Sequence, residues 1–212
     1  MNQRDDAFWQ RQARRYDAAT LRLNPRLPEL ASEIAARLGR DLDVLEVAAG
    51  TGLVTERLAE GAARYVATDR EPAMLELLAR RVRADGLEVQ VADAKQLPFP
   101  NASFDVVVIA NLLHLLPRPE LALGEAHRVL RGAGRLVAPT FCHGSGPLAR
   151  VISRALAAVG FPIVTRFEGP DLEVLVRSGG FQVEEAWTVP GLLPIRAVLA
   201  RRPLVEAEEA VA

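Results

Sequence analysis

Val44-Leu45-Glu46-Val47-Ala48 runs directly into Ala49-Gly50-Thr51-Gly52, and this stretch decides the fold. A short apolar run rich in β-branched residues reads as a buried strand. The glycines behind it read as a tight turn, because glycine enters positive φ at no steric cost. Leu53, Arg57 and Leu58 then continue as a helix to Gly61.

Working downstream, the same alternation repeats. Tyr65-Val66-Ala67-Thr68 is a second strand closed by Asp69, and residues 71–84 form a helix with Pro72 in its first turn, where proline is tolerated. Glu88-Val89-Gln90-Val91 is a third strand closed by Asp93, and 97–103 is a proline-bearing loop. Phe104 to Ala110 is almost wholly apolar, as a strand covered on both faces must be. A helix over 119–131, a turn at Gly132-Ala133-Gly134 and a fifth strand at Arg135–Pro139 follow. Helices over 147–159 and 171–178 precede two closing strands, Phe181–Val189 and Leu193–Arg201, with Pro190-Gly191 turning between them. Upstream, helical spacing over 7–19 (Phe8, Trp9, Ala13, Tyr16) and over 30–38 marks an N-terminal helical extension.

The expected fold is α/β: a doubly wound, Rossmann-like, seven-stranded and mostly parallel sheet with an antiparallel closing hairpin. Residues 1–40 form a helical cap or lid, 41–203 one ligand-binding domain and 204–212 a flexible tail.

Composition narrows the class. The 212 residues are 50% hydrophobic and 25% charged, with 26 basic and 27 acidic side chains. That is a globular chain with material for a core. The net charge of −1 argues against a nucleic-acid partner held through phosphates. Lys95 is the one lysine, so nearly all cationic side chains are arginine. A single cysteine, Cys142, rules out an intrachain disulfide, and with three histidines it makes no recognisable metal set. The polar start and the absence of an 18-residue apolar run predict no secretory leader, no membrane span and a cytoplasmic protein.

Three consecutive strands thus end in acidic or glycine-rich chemistry: Glu46 with the 48–52 turn, Asp69 and Asp93. In open α/β sheets ligands bind beyond the carboxyl ends of the strands. A glycine turn lets a ligand approach the backbone, a strand-two carboxylate can accept ribose hydroxyls, and Asp93 can accept from an exocyclic amine. The dinucleotide fingerprint G-x-G-x-x-G fails, because its third glycine would fall at Thr55. Glu46 would repel a pyrophosphate but suits an ammonium. S-adenosylmethionine carries an ammonium, a sulfonium, a ribose and an adenine, and fits these groups better.

Residues 40–140 resemble the class I S-adenosylmethionine-dependent methyltransferases, closest to their ubiquinone/menaquinone small-molecule branch. The resemblance rests on residues 44–52, Ala67-Thr68-Asp69, Met74-Leu75, Ala92-Asp93-Ala94, Leu97-Pro98-Phe99 with Ser103-Phe104-Asp105, and Arg128-Val129-Leu130-Arg131. It implies that Glu46, Ala48, Gly50 and Gly52 hold the methionine part and that Asp69 takes the ribose hydroxyls. It also implies that Met74 packs on the adenine, Asp93 and Ala94 receive its amine edge, and Asn111 lies beside the transferable methyl. Tyr16 resembles a tyrosine that closes over the cofactor. Ala48 departs from the family by replacing the first glycine of the turn.

Methyl transfer is an in-line displacement whose electrophile the cofactor supplies, so the protein mainly orients reactants. His114, just past strand four, is the candidate base, with a buried histidine tied to local backbone as the competing reading. Cys142 and His143 are candidates to line the acceptor pocket. The acceptor is a small molecule, hydrophobic in character, and the protein is a monomer or homodimer. The alternatives are a non-catalytic cofactor-binding module and, behind it, a nicotinamide oxidoreductase.

Overall fold

The computed structural model describes residues 17–142, 165, 167–168 and 170–204. Phe8, Trp9, Tyr16, His143, the 147–159 helix and the tail beyond Leu204 lie outside them.

Residues 17–23 are helical (α1). The order then runs α2 (Leu27–Leu38), β1 (Asp43–Val47), α3 (Thr55–Leu58), β2 (Arg64–Asp69), α4 (Pro72–Arg81), β3 (Leu87–Val91), β4 (Phe104–Ile109), α5 (Pro119–Val129), β5 (Leu130–Phe141), α6 (Asp171–Ser178), β6 (Gln182–Val189) and β7 (Ile195–Arg201). The strands form one seven-stranded sheet in the order β3-β2-β1-β4-β5-β7-β6. The pairs from β3 through to β5 are parallel, and β5–β7 and β6–β7 are antiparallel. The chain winds outward from β1 to β3, then returns to β4 on the other side of β1. The switch point therefore lies between β1 and β4, where a crevice is expected.

Period-two alternation divides the core between the two faces. Val44, Tyr65, Ala67, Val106, Val108 and Val137 pack with Leu30 and Ile34 of α2 and Leu75 and Leu78 of α4. Leu45, Val66, Val107, Ile109 and Leu136 pack with Leu123 and Ala126 of α5 and Leu172 and Val176 of α6. The α2 and α4 helices each carry a proline in the first turn, where the missing N–H costs nothing.

The N-terminal extension is tied to the far hairpin by Asn24. Its side-chain amide donates to the carbonyls of Val189 (3.3 Å) and Leu193 (3.2 Å). Gly191 is needed there, because a Cβ would lie 2.6 Å from Asn24 Cγ.

Several boundaries differ from the sequence reading. The helix expected to Gly61 is α-helical only to Leu58 and closes as a 3-10 turn, Ala59–Gly61. The helix expected to residue 84 ends at Arg81, since Val82 is already extended at φ −96, ψ 127. The Gly132-Ala133-Gly134 turn is absorbed into β5. Phe104 pairs with Leu130 and Val106 with Arg135, so extra residues bulge out of the β5 side. Ala133 sits at φ 60, and a Cβ on Gly134 would meet Arg131 O at 2.9 Å and Asp105 O at 3.1 Å. A bulge and a turn ask for the same residues, which is why sequence does not separate them.

Candidate active site

The turn after β1 is held by its own strained backbone. Ala48 (φ 58), Gly50 (φ 57) and Gly52 (φ 87) are all left-handed. Ala48 therefore occupies a conformation that glycine adopts more cheaply, and its departure from the family pattern is a matter of backbone strain. Ala49 N–H donates to Thr68 O at 2.8 Å, which fastens the turn to β2.

Asp69, the last residue of β2, organises the rim. Its Oδ2 accepts Gly50 N–H and its Oδ1 accepts Glu71 N–H, each at 2.9 Å. Burial pushes its carboxyl above the ordinary range, and these backbone bonds oppose the shift. Asp93 follows β3 and accepts the Lys95 N–H at 2.9 Å, with the Lys95 ammonium 3.4 Å away.

Glu46 is buried below the turn, only 1% exposed. Its Oε2 accepts from Thr55 Oγ1 (2.6 Å) and from Tyr65 OH (2.8 Å). Its Oε1 has no hydrogen-bond partner. Burial, with a smaller contribution from the Asp69 charge, pushes the carboxyl up to about 7. Thr55, at the position where a dinucleotide site needs its third glycine, instead holds Glu46. Asn111 lies just past β4 at φ 52, with its N–H on Pro139 O at 2.8 Å. Its Oδ1 is buried and unpartnered.

These residues border two adjoining compartments. The outer one, about 80 Å³, is lined by Ala48, Gly50, Asp69, Met74, Asp93, Ala94 and Asn111. The inner one, about 30 Å³, is lined by Glu46, Ala48, Gly50 and Asn111, together with Thr20 and Leu27 of the N-terminal extension. Every cofactor residue expected from the sequence and lying within the described range borders one or both compartments, except Gly52. A Cβ on Gly52 would meet Leu78 Cγ at 2.9 Å and Val82 Cγ2 at 3.1 Å, so its space is taken by α4.

Sequence reasoning missed Glu71, Arg70, Lys95 and the apolar wall of Leu112, Leu115 and Leu116 in the outer compartment. It also missed Thr20 and Leu27. Their sequence signals are ordinary surface charge and ordinary core leucine, so only the winding of the chain brings them in.

The acceptor candidates fare differently. His114 is 2% exposed, inside the 3-10 turn Leu113–Leu115. Its ring meets Phe141 edge-on at 6.1 Å and its carbonyl accepts Thr165 N–H at 2.9 Å. It lines neither compartment. Cys142 is also buried, desolvation pushes its thiol up to about 11, and it lines neither compartment. Among the described residues no cluster of three or more His, Cys, Asp or Glu could hold a metal, and no helix is long and apolar enough to cross a membrane.

Two motif segments have structural work. Arg128 donates to Phe99 O (2.7 Å), Leu97 O (2.9 Å) and Glu125 Oε1 (2.8 Å), which shapes the loop beyond β3. Arg131 bridges Asp43 and Asp105, each at 2.7 Å.

The chain is similar to known methyltransferases. Residues 45–138 match the methyltransferase domain family. The chain is 42% identical over 127 residues to the demethylmenaquinone methyltransferase of Thermus thermophilus, covering 58% of this chain and 56% of that protein. It is 37% identical over 134 residues to the ubiquinone/menaquinone biosynthesis C-methyltransferase UbiE of Rhizobium meliloti, covering 60% and 51%. The chain thus spans about half the length of these relatives. The magnesium protoporphyrin IX methyltransferase of Synechocystis, solved with bound S-adenosylhomocysteine, superposes with a TM-score of 0.67 at 14% identity, over 82% of this chain and 83% of that one. The chain is thus similar over residues 45–138 to the methyltransferase domain family, and among its relatives it resembles the ubiquinone/menaquinone methyltransferases.

Proposed function

We propose that the protein binds S-adenosylmethionine in the two compartments and methylates a small apolar acceptor. One observation carries this reading: Glu46 Oε1 and Asn111 Oδ1 are both buried, both without a hydrogen-bond partner, and both on residues lining the inner compartment. Buried acceptors left open call for a donor, and a carboxylate beside an amide oxygen suits an ammonium. The residues present therefore fit the cofactor that the family implies.

When bound, the cofactor supplies an activated methyl group on a sulfonium. The chain's residues do the rest. Glu46 and Asn111 receive the amino group. Asp69, fixed by two backbone N–H bonds, keeps its remaining acceptor capacity for the ribose hydroxyls, and Asp93 with Ala94 faces the adenine edge beside Met74. Leu112, Leu115 and Leu116 wall the outer compartment and keep water from the reacting atoms. Thr20 and Leu27 support a capping role for residues 1–40. The names of the relatives point to a quinol-like acceptor, consistent with this apolar wall. His114 serves to position the 3-10 turn that carries Leu115.

Calorimetry with S-adenosylhomocysteine and with NAD tests the reading. Binding of the first alone is expected, and binding of NAD alone overturns it. Turnover on a hydroquinone panel separates an enzyme from a non-catalytic binding module.

A further inference from the structure

A second set of open polar atoms lies at the carboxyl end of β5, outside both compartments. Glu173, on α6, has a side chain only 8% exposed and is paired with Arg196 of β7. A guanidinium fork ordinarily takes both oxygens of a carboxylate. Here both of its donors, Nε at 3.1 Å and Nη2, converge on Oε1. Nη1 turns away to Thr188 Oγ1 at 3.0 Å. Oε2 is consequently buried with no hydrogen-bond partner. Thr140 is fully buried and its Oγ1 is likewise unpartnered. Thr140 stands directly opposite Arg196, and Arg196 directly opposite Thr188, so the three side chains share one face of the sheet.

This cluster adjoins the crevice. Thr140 follows Pro139, whose carbonyl accepts the N–H of Asn111, and Asn111 lines both compartments. Arg196 already balances the Glu173 charge, so no net attraction for a cation remains, and an anion would meet the open carboxylate oxygen. What is left is one strong acceptor and one hydroxyl able to give or take a proton. A neutral ligand hydroxyl satisfies both chemistries, donating to Oε2 and accepting from Thr140.

We propose that Glu173 and Thr140 form the acceptor subsite, binding a neutral phenolic or enolic hydroxyl at the carboxyl end of β5. The proposal rests on the methyltransferase reading but is tested apart from it. The probes are 1,4-dihydroxynaphthalene, kept anaerobic, and 1,4-dimethoxynaphthalene, which has the same rings and no hydroxyl donor. Binding is measured calorimetrically on the full chain, with and without S-adenosylhomocysteine.

The wild-type protein is expected to prefer the dihydroxy probe by about tenfold or more, the scale of one hydrogen bond to a charged group. Thr140→Val should narrow the preference, and Glu173→Gln with Thr140→Val should abolish it. S-adenosylhomocysteine affinity should stay unchanged in both. Should the double variant fail to fold, Thr140→Val alone decides. No binding of either probe, no preference in the wild type, or a preference that survives substitution overturns the subsite and leaves the two atoms to a structural water. Failure of the wild type to bind S-adenosylhomocysteine counts against the cofactor reading instead.

Discussion

The two ends of the sheet handle polar groups in opposite ways. At the amino end, arginines reach acceptors on several elements. Arg131 joins Asp43 to Asp105, and Arg135 caps the carbonyls of Arg37 (3.0 Å) and Leu38 (2.5 Å) at the end of α2. Arg202 reaches Leu130 O, although its own Nε donor stays unpartnered. At the carboxyl end, Glu46 Oε1, Asn111 Oδ1, Thr140 Oγ1 and Glu173 Oε2 stay open, and Ala48 and Asn111 hold positive φ. Unsatisfied atoms and strained backbone cost stability. Their concentration at one end separates the part that holds the fold from the part that is prepared for a ligand.

The sharpest way to break this contrast is Glu46→Gln. A carboxyl whose folded pKa exceeds its unfolded value holds its proton more tightly when folded. Its effect on stability is therefore absent at low pH, sets in as pH rises past the ordinary 4.5, and is complete above about 7. The variant should be more stable than wild type at pH 8 by up to about 3 kcal/mol, with the gap closing towards pH 4. Chemical denaturation at the two pH values measures it, and an equal gap at both removes Glu46 as a buried anion. In the wild type, S-adenosylhomocysteine affinity should weaken towards tenfold per pH unit as pH falls below about 7. A flat calorimetric profile there would detach Glu46 from the ligand.

Asp69→Ala removes the acceptor for Gly50 and Glu71 as well as the proposed ribose contact. Cofactor affinity should drop by roughly 1.5–3 kcal/mol, and unchanged calorimetric affinity refutes the assignment. Gly52→Ala tests a proposed site residue whose Cβ direction is filled by α4. The clash with Leu78 and the positive φ should cost about 1–3 kcal/mol of stability, while affinity in the folded fraction stays near wild type. A selective loss of affinity restores Gly52 to the site. The smallest effect belongs to the amino end. Arg131→Ala breaks a bridge whose arginine side chain is 41% exposed, so about 0.5–1 kcal/mol of stability is expected to go. Cofactor affinity should not move, and a change in it would show that the two ends are coupled.

How much of this was legible follows the range of the interactions. Glu46, Asp69 and Asp93 could be placed together because each lies at or next to the end of a strand, and strand ends follow from local apolar pattern. His114 looked equally well placed, one turn past β4. Whether its ring faced the crevice or Phe141 depended on packing between β4 and β5, which no local pattern encodes. Gly52 is ambiguous for the same reason: a glycine that admits a ligand and one that admits Leu78 are identical in sequence. The Asp17 latch shows the reverse case. Thr51 Oγ1 and Arg81 both donate to Asp17, and this tie between α1, the glycine turn and α4 had no sequence signal beyond single polar residues.

Periodicity and strand-closing residues, read from the chain alone, determined the α/β class and the strand count and pointed to a cationic adenosyl ligand, because these depend on interactions among near neighbours. Which acceptors are left open, which glycines only make room, and how Thr140 comes to face Arg196 were decided by strands and helices far apart in the chain. Hydrogen-bond satisfaction is a property of the assembled interior, and no residue carries it on its own.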